Sequence, residues 1–96
     1  MREAVIVSTA RTPIGKAYRG GFNNLPSPTL AGHAISAAVA RAGIEPERIE
    51  DCIMGCALTQ GTSGGNIGRT AALRAGLPVS VSGMTVDRQC SSGMMA

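Results

Sequence analysis

Apolar residues along the chain fall into short continuous runs and longer helical stripes, separated by stretches of glycine, proline and small polar residues. Ala4, Val5, Ile6 and Val7 form one such run. A continuous run of this kind predicts a first strand covered on both faces, because a half-exposed strand alternates. Arg11-Thr12-Pro13 and the glycines at 15, 20 and 21 then break the periodicity, and the polar stretch through Asn23 and Asn24 reads as an irregular loop. Leu30, Ala31, Ala34, Ile35, Ala38, Val39 and Ala42 recur at steps of three and four, which places them on one helical stripe. Ser27 is positioned to cap that helix with Pro28 at its first residue, and Gly43 supplies a left-handed stop.

After the turn Glu45-Pro46-Glu47, the segment from Ile49 to Ala57 predicts a second buried strand, including Cys52, Ile53, Met54 and Cys56. A flexible loop from Gly61 to Gly65 leads to Asn66, a good N-cap, and a helix from Ile67 to Ala75 closed by Gly76 and Pro78. Val79 to Asp87 predicts a third strand centred on Met84, Thr85 and Val86, followed by a turn at Cys90-Ser91-Ser92 into another helix. This alternation implies an α/β fold with a parallel or mostly parallel sheet. Ala96 lies in a newly begun helix, and three strands leave an open sheet edge. Both features predict a continuation of the chain, or a partner.

Length and composition narrow the functional classes. Ninety-six residues suffice for one small domain and exclude a second; a domain of this size buries roughly 60 to 70% of its unfolded surface. Nine Lys+Arg against six Asp+Glu give a net charge of +3, but Lys16 is the only lysine, and Tyr18 and Phe22 are the only aromatics. Without a basic run or stacking platform, no nucleic-acid partner is expected. No apolar stretch approaches the ~20 residues of a membrane span, so no membrane association is expected. The opening Met-Arg-Glu enters an apolar run without the order of a secretion signal. The expected location is therefore the cytoplasm, and the odd count of three cysteines predicts free thiols there.

Three clusters invite chemistry. Cys52 and Cys56, four residues apart, point to one face of a strand and are read as packing. A structural zinc would require both of them together with Cys90 and His33, so no metal site is expected. The Gly61 to Gly68 segment fails the dinucleotide-binding glycine spacing at Ser63, and Lys16 lacks the glycine and Ser/Thr context of a phosphate loop. Cys90 lies at a strand-to-helix junction, where unpaired N–H groups and a helix dipole favour a thiolate. Position alone leaves it open between a small core residue and a nucleophile; the small residues Ser91, Ser92 and Gly93 behind it favour the nucleophile, with backbone donors open to an oxyanion.

The energetics of that thiol are incomplete. Lowering a cysteine pKa from near 8.5 to about 7 requires about 2 kcal/mol, whereas a helix terminus typically contributes about 0.3 to 1 kcal/mol. A base or cation must complete the activation. His33, the only histidine, lies off the apolar stripe and is read as a solvated or packing residue. The base is therefore expected outside these residues.

Val86-Asp87-Arg88-Gln89-Cys90-Ser91-Ser92-Gly93-Met94 strongly resembles the nucleophile segment of the thiolases, the family of acetyl-CoA acetyltransferases and 3-ketoacyl-CoA thiolases. Ala4 to Val7 with Arg11-Thr12-Pro13-Ile14-Gly15 is similar to that family's opening strand and loop. Asn66-Ile67-Gly68-Arg69 occupies the place of its Asn-x-Ala-Arg helix start, with Gly68 in place of the usual alanine. That departure is expected to affect mainly local helix stability.

The resemblance implies a thiolase-like, layered αβαβα fold, of which residues 1–96 are the first part of the N-terminal domain, stopping just after the nucleophile. It implies an acyl-CoA C-acyltransferase in which Cys90 carries the acyl group as a thioester, in thiolysis of a 3-ketoacyl-CoA or in the reverse Claisen condensation. Coenzyme A esters would be substrates, with no permanently bound cofactor. The family's Gly-His-Pro histidine, its second acid/base cysteine and its water-orienting asparagine have no matching segment here. Family architecture further implies a homodimer or homotetramer, with the Gly61 to Asn66 region near a partner subunit. Asp87, Gln89, Asn66 and Arg69 are then expected at an interface or in local support. A ketoacyl-synthase-like condensing enzyme and a noncatalytic fragment or subunit are the alternatives, the Arg-Thr-Pro-Ile-Gly opening arguing against the first.

Overall fold

The computed structural model describes all residues 1–96. Its elements in chain order are α1 (Ser27–Ala42), β1 (Asp51–Gly55), α2 (Ile67–Arg74), β2 (Ser82–Val86) and α3 (Ser92–Met95), with short 3-10 turns at Pro46–Arg48 and Gly61–Ser63. The expected α/β alternation is present. β1 and β2 pair in parallel, with Cys52 opposite Gly83, Ile53 opposite Met84 and Met54 opposite Thr85.

Residues 4–7 depart from expectation: they form no strand. Val5, Ile6 and Val7 are 73%, 87% and 68% exposed. A strand exists only where a neighbour completes its hydrogen-bond ladder, and none of the described elements lies alongside this run. Arg41 Nη1 donates to Thr9 O at 2.7 Å and ties the segment to α1.

α1 starts at Ser27, so Pro26 takes the cap position and Pro28 the second helical residue. Ser27 therefore caps nothing. Its own N–H is satisfied from a distant loop, by Thr62 Oγ1 at 3.0 Å, and its hydroxyl meets Ser63 Oγ at 2.6 Å. Gly43 ends the helix as expected, at φ 67°. From the predicted stripe, Ile35 and Val39 pack on a small core of Ala72, Leu77 and Val81.

α2 matches the predicted helix almost to the residue. Asn66 Oδ1 accepts the Arg69 N–H at 3.3 Å as a cap, while Asn66 Nδ2 donates to Gly83 O at 2.8 Å. Thr85 Oγ1 donates to Asn66 Oδ1 at 2.8 Å and accepts the Gly68 N–H at 3.1 Å. Arg69 reaches the other way, donating to the carbonyls of Val81 and Val79. Asn66 and Arg69 thus act in local support, Asn66 fastening α2 to β2 and Arg69 fastening it to the segment that leads into β2.

Gly68 has a more specific role than helix propensity. A Cβ there would lie 2.2 Å from Met84 O and 3.2 Å from Cys52 O, so α2 rests directly on the sheet backbone. The alanine expected from the resemblance requires a helix seated farther out. Gly83 serves the same contact from the sheet side, where a Cβ would meet Arg69 Cα at 2.7 Å.

The second and third predicted strands are shorter than expected; α2 covers one face, and α3 covers the other only where β1 ends at Gly55. Ile53 and Met84 are partners across the ladder and remain 44% and 45% exposed on the face away from α2. Only eight of 96 residues are buried, and the apolar ones are Ile67, Ala71, Ala72, Leu77 and Val81. The radius of gyration, 13.6 Å, exceeds the roughly 12.5 Å of a compact domain this long.

Candidate active site

Cys90 lies in the turn that carries the chain from β2 into α3. Its side chain is exposed and its thiol is free. The turn around it is closely fastened. Asp87 Oδ1 accepts the Gln89 N–H at 2.9 Å, and Ser91 Oγ donates to Arg88 O at 2.9 Å. Ser92 Oγ accepts the Arg88 N–H at 2.8 Å and donates to Gln89 O at 2.6 Å. Backbone bonds from Ser91 N–H to Arg88 O and from Ser92 N–H to Gln89 O close the turn at 3.2 and 3.1 Å.

Gln89 sits at φ 52°, a left-handed conformation that a residue with a Cβ seldom adopts. Such a residue costs on the order of 1 to 3 kcal/mol and persists where its surroundings over-determine it. Asp87, Ser91 and Ser92 provide that surrounding here. Ser92 is 3% exposed, buried beneath the turn. Below it, β1 ends in Gly55, where a Cβ would lie 2.4 Å from Ser92 C, Ser92 O and Gly93 N. A glycine at the end of β1 therefore sets how closely α3 and the Cys90 turn approach the sheet.

α3 begins two residues after Cys90, with Ser91 as its N-cap, and spans four residues. The backbone N–H groups of Cys90, Gly93 and Met94 have no partner within the chain. One helical turn carries little of the macrodipole invoked from sequence, so these local donors are the polar groups the turn presents.

The other predicted residues are not gathered here. His33 is exposed on α1 and lines a cleft of about 240 Å³ with Thr29, Gly32, Ser36 and Arg74, apart from Cys90. Cys52 packs against the core beneath α2, and Cys56 lies just past β1. Burial pushes the Cys52 thiol above its ordinary value of 9.0, and the neighbouring Asp51 charge adds to the shift. A thiol kept protonated in this way is a poor nucleophile at neutral pH. No three His, Cys, Asp or Glu side chains converge as a metal site would require. Cys90 lines none of the surface cavities, so walls around an acyl or pantetheine group are not built from these residues.

Ser92 and Gly55 were not singled out as supports of the turn. A serine following a turn signals a side chain that bonds backbone groups, and a glycine closing an apolar run signals close approach. Each signal is local, and only the fold brings Ser92 and Gly55 together.

Residues 4–96 match the family described as "Thiolase, N-terminal domain". The chain belongs to the thiolase family. It is 47% identical to an acetyl-CoA acetyltransferase of Cupriavidus necator, over the whole of this chain and 24% of that protein. A 3-ketoacyl-CoA thiolase of Bacillus subtilis is 42% identical over 100% of this chain and 25% of its own length. The crystal structure of the Bacillus anthracis acetyl-CoA acetyltransferase superposes with a TM-score of 0.86 at 43% identity, covering 96% of this chain and 23% of that one. The fold is therefore of the thiolase type, and the chain spans about a quarter of the length of the relatives it matches.

Proposed function

We propose that this thiolase segment supplies the nucleophile of an acyl-CoA C-acyltransferase, and that the nucleophile is Cys90. One observation carries the choice among three thiols. Cys90 alone is exposed, held in a turn whose neighbouring side chains are committed to backbone hydrogen bonds. In the degradative direction its thiolate attacks the C3 ketone carbon of a 3-ketoacyl-CoA. The C2–C3 bond breaks, its electron pair stays on C2, and protonation of that enolate releases acetyl-CoA. A coenzyme A thiol then loses its proton, attacks the Cys90 thioester and expels the thiolate with a shortened acyl-CoA. Condensation runs the same steps backwards. Dividing the reaction at a covalent intermediate replaces one difficult step with two easier ones.

The proton acceptor for Cys90 and the acid for the enolate come, in this reading, from outside residues 1–96. His33 lies on α1 in a different cleft, and Cys52 is shielded beneath α2. The small core and the half-open sheet support further polypeptide around this segment, in a homodimer or homotetramer. No helix is long and apolar enough to cross a membrane, and a cytoplasmic site of action in fatty-acid metabolism fits coenzyme A ester substrates.

Acetyl-CoA alone tests the first half-reaction. A thiolase polypeptide that contains residues 1–96 together with the rest of the fold is incubated with it, quenched in acid and digested, and the acetyl group is located by peptide mass spectrometry. It is expected on Cys90 and absent from the Cys90→Ala variant. Acetyl label on Cys52 or Cys56 that persists in Cys90→Ala defeats the assignment. Faster transfer from an acyl-carrier-protein donor than from a coenzyme A ester would favour the ketoacyl-synthase-like alternative.

A further inference from the structure

The turn that presents Cys90 is organised by one hydroxyl more than by any other group. Ser92 Oγ engages both residues that precede Cys90, accepting from Arg88 N–H and donating to Gln89 O. It does so from a buried position, fixed from below by the close contact with Gly55. The exposed Ser91, by contrast, reaches only Arg88 O. Gln89 in its left-handed conformation sets the direction of the peptide that enters Cys90. Whatever holds Gln89 there therefore aims the thiol.

We infer that Ser92 is a positioning residue for Cys90, clamping Arg88 and Gln89 so that the thiol is held outward at a fixed angle. The inference rests on Cys90 being the acyl acceptor. Acyl transfer needs the sulfur aligned with a bound thioester carbon, and a misplacement near 1 Å costs about a hundredfold in rate. Alkylation by a small reagent such as iodoacetamide has no bound geometry to satisfy and depends on exposure and ionisation. The two reactions at the same sulfur therefore separate aim from reactivity.

The test measures both reactions at Cys90 in the longer thiolase polypeptide that contains residues 1–96, alongside hydrogen exchange of the Arg88 amide. Ser92→Ala is expected to slow acetylation from acetyl-CoA by about tenfold or more, to leave iodoacetamide alkylation within about twofold, and to lose Arg88 amide protection. Ser92→Thr, which keeps the hydroxyl, restores acetylation, and Ser91→Ala stays near the parent. Asp87→Ala removes the exposed acceptor of the Gln89 N–H and is expected to slow acetylation by a smaller factor. If Ser92→Ala does not fold, Ser92→Cys, which keeps the size of the side chain but weakens both hydrogen bonds, decides the matter, and parental acetylation of Cys90 in it overturns the inference. Parental acetylation in a folded Ser92→Ala overturns the inference alone, as does an equal fall in acetylation and alkylation. Absence of Cys90 acetylation in the parent overturns the nucleophile assignment, and this inference with it.

Discussion

The opening residues and the β1–α2–β2 unit start from the same kind of sequence and end in different states. Ala4-Val5-Ile6-Val7 and Cys52-Ile53-Met54 are both short continuous apolar runs. The second is a strand because Ser82 to Val86 lies beside it in register and α2 covers one face. The first has neither neighbour and leaves its side chains open to water. An apolar run records a tendency to be covered, whereas strand structure belongs to the pair that shares the hydrogen bonds. The comparison also locates the order that matters for Cys90. It flows from β1 through Gly55 and from β2 through the Asp87–Ser92 turn, whereas the opening segment is tied to α1 by the Arg41–Thr9 bond.

The largest effect is expected where that order is tightest. Gly55→Ala places a methyl 2.4 Å from Ser92 and Gly93 backbone atoms, which cannot yield as a flexible side-chain tip could. Forcing extra volume into a packed site costs about 1 to 3 kcal/mol. Denaturant unfolding should show that loss, and Cys90 acetylation should fall with it because α3 and the turn move together. A Gly55→Ala protein with parental stability and acetylation would mean that the sheet does not set the position of the turn.

Much of this was legible from the chain because the signals were local. Asn66 as a cap, Gly43 as a left-handed stop and the 3.6-residue stripe containing Ile35 and Val39 each depend on neighbours a few residues away. The parallel pairing followed from the strand–helix–strand order. What failed was whatever depended on distant partners. Ser27 looked like a cap, but the helix starts one residue earlier and takes its capping oxygen from Thr62. Gly68 looked like a weak spot in a helix, yet its missing Cβ allows α2 to touch the sheet backbone. At the site, the strand-to-helix turn that carries Cys90 was legible from the order of local signals. The clamp by Ser92 was not, because its burial against Gly55 joins residues 37 positions apart in sequence.

A smaller effect measures the covered face of β1 directly. Cys52 lies under α2 with its thiol pushed above the ordinary 9.0, first by burial and then by Asp51. The folded state therefore holds the proton more tightly than the unfolded chain. This contribution is fully present below pH 9 and is lost as pH rises through the raised folded value. Urea unfolding across alkaline pH should show stability falling over that range, with the slope reduced in Cys52→Ala. The same burial makes Cys52 slower than Cys90 towards iodoacetamide at neutral pH. An unchanged slope in Cys52→Ala would show that the face of β1 beneath α2 is as wet as residues 4–7.

The smallest effect is expected in the opening run, and its smallness is the point. Ile6 is 87% exposed and takes part in no ladder. Within residues 1–96 as they fold here, Ile6→Ser removes almost no buried surface, so stability should change by less than about 0.5 kcal/mol. The matched change on the sheet, Ile53→Ser, starts from 44% exposure and should cost more, because part of that side chain is already shielded. Measuring both substitutions in the 96-residue chain and in a longer polypeptide that contains it separates two origins of the exposure. If Ile6→Ser is neutral in the first and costly in the second, the apolar run is a strand waiting for a neighbour supplied from elsewhere. If it is costly in both, the opening residues are already packed in solution and the contrast with β1 disappears. Neutrality in both would instead make the continuous apolar pattern at 4–7 irrelevant to stability, leaving strand formation there without a driving force.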